Sequence, residues 1–303
     1  DPLISIIPNQ ISTEDIVKMG VKSTKILDSA NGISRTFYEV RDIVTVKSGK
    51  GLLGNHVEVK VVAKGSDKEM EVGKLMIYKN ERIPKAEIVM IRLSYDDVNV
   101  NLDVQYHDIL KNQAFNQALI RAEIIDDEKF IINELDATDP DVIAFKTNFP
   151  DGTNHNGKSF LNSTVDLYNK LGKHKIDPAQ SSKRTLMFIT NQQSSGPGGI
   201  AEGNFISGSF VWGNAVVIFN SNLDSKSSFI HEICHSLSLP HIFSKKLSIY
   251  KFFRGYTDNY LDYTTKFDGT AAKNKIANVH ARLFLFKWQW DIMRADQSLI
   301  DNY

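Results

Sequence analysis

Hydrophobic and polar positions alternate along the first third of the chain. Residues 56–62 (HVEVKVV) set valines between charged and polar side chains. That period of two marks a half-buried strand. Residues 72–78 and 86–93 read the same way, and 34–46 (SRTFYEVRDIVTV) are dense in β-branched and aromatic residues. Turn chemistry separates these runs, at Gly49-Lys50-Gly51, at Gly65-Ser66-Asp67 and over the polar stretch 80–85. Short strands at this spacing predict a small β-sandwich.

The pattern changes near residue 103. Residues 108–119 predict a helix leading into a strand at 120–125, and the turn-rich 136–141 (DATDPD) reads as a boundary or a surface loop. In 160–171, Phe160, Leu161, Val165, Leu167, Tyr168 and Leu171 fit one face of an amphipathic helix. Residues 185–190 (TLMFIT) and 215–219 (AVVIF) read as buried strands, with a glycine-rich stretch, 196–213, between them. Residues 225–239 predict a helix with Ser225, Ser227 or Ser228 as N-cap, and 276–293 predict another. The expected fold class is α+β. A β-rich, immunoglobulin-like accessory domain would occupy 1–105 and a mixed α and β domain 106–303.

Composition narrows the function classes. Of 303 residues, 42% are apolar and 24% charged, the balance of a folded globular chain. Lys plus Arg equals Asp plus Glu at 36 each, which argues against non-specific nucleic-acid binding. No apolar run is long enough for a membrane span. Cys234 is the single cysteine, so no internal disulfide forms, and inside a helix it reads as a small buried hydrophobe. The start, Asp1-Pro2-Leu3-Ile4-Ser5, lacks an initiator Met and a signal-peptide pattern. It suggests a processed or excised piece, with a secreted or extracellular location as the expectation.

The informative segment is His231-Glu232-Ile233-Cys234-His235-Ser236-Leu237-Ser238-Leu239-Pro240-His241. Residues four apart share a helix face, so His231 and His235 can hold one Zn²⁺ together. Glu232, beside the first ligand, can reach a water activated there. Catalytic zinc commonly takes three protein ligands. His241 lies beyond the expected helix end at Leu239-Pro240, and a sharp turn would bring it back as the third. The other histidines, among them His155, His174 and His280, have no such spacing. Gly196-Pro197-Gly198-Gly199 lacks the Lys-Ser/Thr of a phosphate loop and reads as a rim loop.

The segment resembles the metzincin clan of zinc peptidases, whose pattern is H-E-x-x-H-x-x-G-x-x-H followed by a Met-turn. The resemblance implies a twisted mixed sheet with an active-site helix. It implies His231, His235 and His241 as zinc ligands and Glu232 as general base. Downstream, Asp258-Asn259-Tyr260-Leu261-Asp262-Tyr263 looks like the Met-turn, with Leu261 at the Met position. Tyr263 would then stabilise the reacting oxyanion. By the same resemblance the sheet's edge strand, taken as Ala215, Val216 and Val217, would bind an extended protein or peptide substrate. Two departures stand out. Ser238 replaces a glycine that permits positive φ, at a cost of about 1 kcal/mol. Leu261 replaces the Met, a near-isosteric change.

The expected function is therefore a zinc endopeptidase, as a secreted bacterial protease or an effector toxin. The β-rich region would dock a partner or a secretion apparatus. Two other readings remain open on sequence: a binding or adhesion protein with an inactive metal domain, and a zinc amidase on peptidoglycan-type amides.

Overall fold

The computed structural model describes residues 4–28, 33–102, 105–174, 184–207, 209–263, 265–266, 276–277 and 282–301. Compact units span Asp1–Arg82 and Ile83–Tyr303. The break lies well before the expected boundary at 105. The chain is mixed α and β, with several sheets and a few helices.

The first unit runs β1 (Ile4–Ile7), α1 (Thr13–Met19), β2 (Val21–Asp28), β3 (Ile33–Glu39), β4 (Thr45–Ser48), β5 (Val57–Lys64) and β6 (Glu69–Ile77). The expected strands are present, but they form three separate antiparallel ladders, β1 with β4, β2 with β3 and β5 with β6. Ion pairs cross the last ladder, Lys74 to Glu58 at 2.9 Å and Lys60 to Glu71 at 3.1 Å. Among the described residues of this unit, Leu53 is the one buried hydrophobic side chain. No sandwich core is found there. Alternation locates a strand, but says nothing about whether a second sheet covers it.

The second unit runs β7 (Lys85–Ser94), α2 (Tyr106–Asp108), β8 (Arg121–Ile131), α3 (Pro140–Asn148), β9 (Asn154–His155), α4 (Gly157–Leu171), β10 (Thr185–Thr190), β11 (Gln193–Ser194), β12 (Gly199–Ile206), β13 (Ser209–Ile218), α5 (Ser228–Ser236), β14 (Thr265–Lys266), β15 (Ile276–Ala277) and α6 (Lys287–Arg294). After α2 the chain continues in π-helical and 3-10 turns over Ile109–Ala114 and Phe115–Ala118. Five strands form one sheet in the order β12-β13-β10-β7-β8. Four are parallel, and β12 is antiparallel at the edge.

β7 sits inside this sheet, although the sequence reading gave it to the accessory domain. Its run Ile88-Val89-Met90-Ile91 is fully buried. A continuous apolar run is what a parallel strand covered on both faces requires. On one face Ile88, Met90, Met187, Ile189, Val216 and Ile218 pack with Phe229, Ile230, Ile233 and Cys234 of α5. On the other Val89, Ile91, Phe188, Ala215 and Val217 pack with Phe160, Leu161 and Tyr168 of α4.

Three local expectations change. Gly199, read as part of a rim loop, instead opens β12, and most of the glycine-rich 196–213 forms a hairpin of β12 with β13. The turn at 136–141 lies inside the second unit and caps α3, where Asp139 Oδ1 accepts the N–H of Asp141 at 2.8 Å and Pro140 starts the helix. Among the described residues of 276–293, only 287–293 are helical. Residues 278–281 lie outside the described residues, and the chain just before α6 bonds to a turn instead. Leu283 N–H donates to Asp258 O at 2.7 Å, and Tyr260 N–H to Phe284 O at 3.0 Å. Tertiary pairing here overrides helical periodicity. Among the described residues no helix is long and apolar enough to cross a membrane.

Candidate metal centre

α5 carries the first two histidines, and every residue in it is buried. Its serine-rich start is held by side-chain bonds. Ser228 Oγ donates to Ser225 Oγ at 2.7 Å and accepts from Asn222 Nδ2 at 3.1 Å. Ser227 is the N-cap residue, but its hydroxyl makes no capping bond. Ser236 Oγ lies 3.0 Å from Thr185 Oγ1, linking the helix to β10.

The helix ends in a Schellman motif. Leu239 N–H donates to Cys234 O at 3.1 Å and Ser238 N–H to His235 O at 2.9 Å. The motif needs a left-handed residue, and Ser238 supplies it with φ +66°. Its hydroxyl donates to Asp296 Oδ2 at 2.6 Å. Pro240 follows and bars any helical continuation. The sharp turn brings His241 back to the helix.

The three imidazoles converge. His231 Nε2 lies 3.0 Å from His241 Nε2 and 3.3 Å from His235 Nε2, and His235 Nε2 lies 3.3 Å from His241 Nε2. Tetrahedral zinc with nitrogen at about 2.0–2.1 Å would space its ligands by roughly 3.3 Å. His231 Nδ1–H donates to Tyr260 O at 2.7 Å, and His235 Nδ1–H to Leu239 O at 2.6 Å. These bonds put the proton on Nδ1 and leave the Nε2 lone pair free. Lone pairs this close repel one another unless a cation sits among them. The buried triplet can hold a metal ion.

Burial also favours the neutral, ligating form. It pushes His231 and His235 well below the usual histidine range, and neighbouring imidazoles add to the effect. His241 falls to about 4, through burial first and then the charges of Arg254 and Arg282.

Glu232 lies against the edge strand. The backbone N–H of Ala201 bonds to its carboxylate. A Cβ at Gly199 would come within 2.8 Å of its Oε1 and 2.9 Å of its Cγ, so any side chain there would have to displace it. Burial pushes its pKa up to about 8, against the opposing pull of Arg282 and the Ala201 N–H.

The turn at 258–263 supports the cluster from below. Asp262 is fully buried, and its carboxylate accepts from Gly255 N–H at 2.7 Å, Thr257 N–H at 2.9 Å and Thr257 Oγ1 at 2.9 Å. Asn259 Nδ2 donates to Gln289 Oε1 at 2.6 Å, joining the turn to α6. Leu261 is fully buried in the same apolar cluster as Ile230, Ile233 and Cys234. Cys234 is buried, and its thiol is pushed upward by burial, in keeping with a packing role. The ring of Tyr263 lies 5.6 Å from that of His231 and 4.9 Å from that of His241. The structure thus gathers His231, Glu232, His235, His241 and Tyr263.

Ala215, Val216 and Val217 are not at this site. β13 is paired on both sides, and all three residues are fully buried in the two core layers. A short apolar run fits an interior strand better than an edge. The exposed edge is β12, which the sequence reading took partly for a loop. Sequence reasoning also missed Trp212, whose ring stacks on His235 at 4.2 Å and 11°. Its signal was the alternation Phe210, Trp212 on β13. Arg254 and Arg282 carried no motif.

No family model matches the sequence, and no curated protein matches it. Among the solved structures that match is one described as "Structure of a chaperone-substrate complex", with a TM-score of 0.36 and 9% identity, covering 89% of this chain and 39% of that chain. A likeness that low carries no weight for fold or function.

Proposed function

We propose that this chain is a metzincin-like metallohydrolase that cleaves peptide bonds, with zinc as its metal. The convergence of three Nε2 atoms within 3.3 Å of one another, with Glu232 on the same helix, carries the reading. Three imidazoles are the donor set of a catalytic zinc site. The antiparallel edge strand, the tight turn out of α5 and the buried turn at Leu261 are in keeping with it. Neither departure from the clan pattern removes a chemical group. Ser238 adopts the glycine-like backbone, and Leu261 fills the core position.

His231, His235 and His241 would hold the metal, which supplies Lewis acidity to water and to the scissile carbonyl when bound. The remaining work falls to this chain's own groups. Glu232 takes a proton from the attacking water as its oxygen bonds to the carbonyl carbon. It then gives that proton to the leaving nitrogen as the C–N bond breaks. The products are a carboxylic acid and an amine. Tyr263, beside His231 and His241, would donate its hydroxyl to the carbonyl oxygen as negative charge develops there. The free side of β12 offers backbone groups for an extended peptide to pair with, by strand addition. Such pairing would lay the peptide over Glu232, since Ala201 bonds to its carboxylate.

The test is hydrolysis of a mixed peptide library by the zinc-loaded wild type and by Glu232→Gln. Cleavage by the wild type, lost by about 10³-fold or more in the variant, supports the reading. Equal rates in both would overturn it, as would no cleavage by either.

A further inference from the structure

Two guanidinium groups stand at the histidine cluster, each with an Nε that has no hydrogen-bond partner among the described residues. Arg254 lies over the ring of Tyr263 at 4.3 Å, and within 5.7 Å of the ring of Phe243. Those two aromatic rings pack on His241, each at 4.9 Å. Arg282 places Nη1 3.4 Å from His231 Nδ1. That nitrogen already carries the proton it gives to Tyr260 O, so it offers Arg282 no acceptor. The Nε of Arg254 and the Nε of Arg282 are both buried without a hydrogen-bond partner among the described residues.

Buried cations are ordinarily paired, because an unanswered charge in a low-dielectric site is costly. The nearby acids leave both Nε groups unbonded. Asp262 is filled by the backbone N–H groups of its own turn, and Glu232 attracts Arg282 without accepting a hydrogen bond from its Nε. Arg254 thus sits behind the two rings that pack on His241, and Arg282 stands beside His231. They therefore border the space a substrate enters.

We propose that Arg254 and Arg282 form a carboxylate-binding subsite, so that the preferred substrate carries a carboxylate close to the scissile bond. The proposal rests on the peptide-hydrolase reading above. A planar guanidinium with free N–H groups matches a carboxylate in fork geometry, and stacking on Tyr263 holds Arg254 in place without consuming its donors. The carboxylate comes either from an Asp or Glu side chain or from the end of the peptide chain.

Two peptide sets separate these sources. In the first, amidated hexapeptides carry a single Glu, or Gln in its place, at each position in turn. In the second, neutral hexapeptides end in a free carboxylate or an amide. The zinc-loaded full chain is assayed for cleavage, and Glu232→Gln is titrated calorimetrically with the same peptides. The expected result is a preference of about tenfold or more for the carboxylate member of at least one pair. That ratio should fall to about one in Arg254→Met or Arg282→Met and be partly kept in Arg254→Lys. A preference in the first set assigns a side-chain carboxylate, and one in the second a chain end.

A wild-type ratio near one throughout would overturn the proposal. So would a preference that survives both Met substitutions. Cleavage without preference removes the subsite and leaves the hydrolase standing. Tighter binding of the carboxylate peptides without any cleavage does the reverse.

Discussion

Ser238 Oγ donates to Asp296 Oδ2 at 2.6 Å while Ser238 itself holds φ +66°. One residue thus supplies both the left-handed turn out of α5 and a tether to the chain just after α6. The strain of an L-residue there is about 1 kcal/mol, and the exposed hydrogen bond offsets part of it. Ser238→Gly should therefore change stability by less than about 1 kcal/mol, with metal binding kept. Ser238→Val should cost roughly 2 kcal/mol or more, because a β-branched side chain resists positive φ. It should also weaken metal binding by displacing His241. Thermal melts and metal titrations of the two variants check this. A Val variant as stable and metal-competent as the wild type would remove the turn from the account.

Gly199 is expected to be irreplaceable for a related reason. A Cβ there would meet the Glu232 carboxylate within 2.8 Å, and Ala201 holds that carboxylate from the same strand. Gly199→Ala should lower kcat for peptide hydrolysis by about tenfold or more, since small misplacements of a catalytic group are costly. Metal content should stay at wild-type level, because no ligand moves. Unchanged kcat would show that Glu232 is free to shift without loss.

Glu232 should also make the metal-free protein sensitive to base. Its folded pKa of about 8 lies above the ordinary carboxyl value of 4.5, so folding favours the protonated acid. The unfolded chain releases that proton first, and stability falls as pH rises from 4.5 through about 8. In chelator-treated protein, Glu232→Gln should be more stable than wild type at pH 8, by on the order of 1–2 kcal/mol or roughly 3–6 °C. The difference should shrink towards pH 4.5. Equal melting temperatures at both pH values would contradict the burial of this carboxylate.

Much of the site was legible in the sequence, and much of the fold that supports it was not. His231, Glu232, His235 and His241 announce themselves through spacing, because a helix turns a four-residue interval into one face. Ala215, Val216 and Val217 misled, because a short apolar run does not say which side of a strand is paired. β7 was assigned to the wrong unit although its unbroken apolar run already marked a strand covered on both faces. Trp212, Arg254 and Arg282 approach the site only through long-range folding, which leaves no local periodicity to read. Ser238 was the reverse case. Its position in the motif demanded positive φ, and the chain adopts it.

Acid should release the metal. The histidines are neutral in the folded state, with His241 held at about 4 against the ordinary imidazole value of 6.5. The unfolded chain binds protons first as pH falls below 6.5, so stability and metal affinity are lost from there towards pH 4. Dialysis at stepped pH with metal analysis should place release inside this window. Metal retained undiminished at pH 4 would count against histidine ligation.

The most direct measurement is the metal content of the wild type and of His241→Ala after each is exposed to excess zinc and dialysed. The account predicts close to one equivalent in the wild type and a large loss in the variant, both folded by circular dichroism. No zinc in the folded wild type, or equal zinc in both, would contradict it.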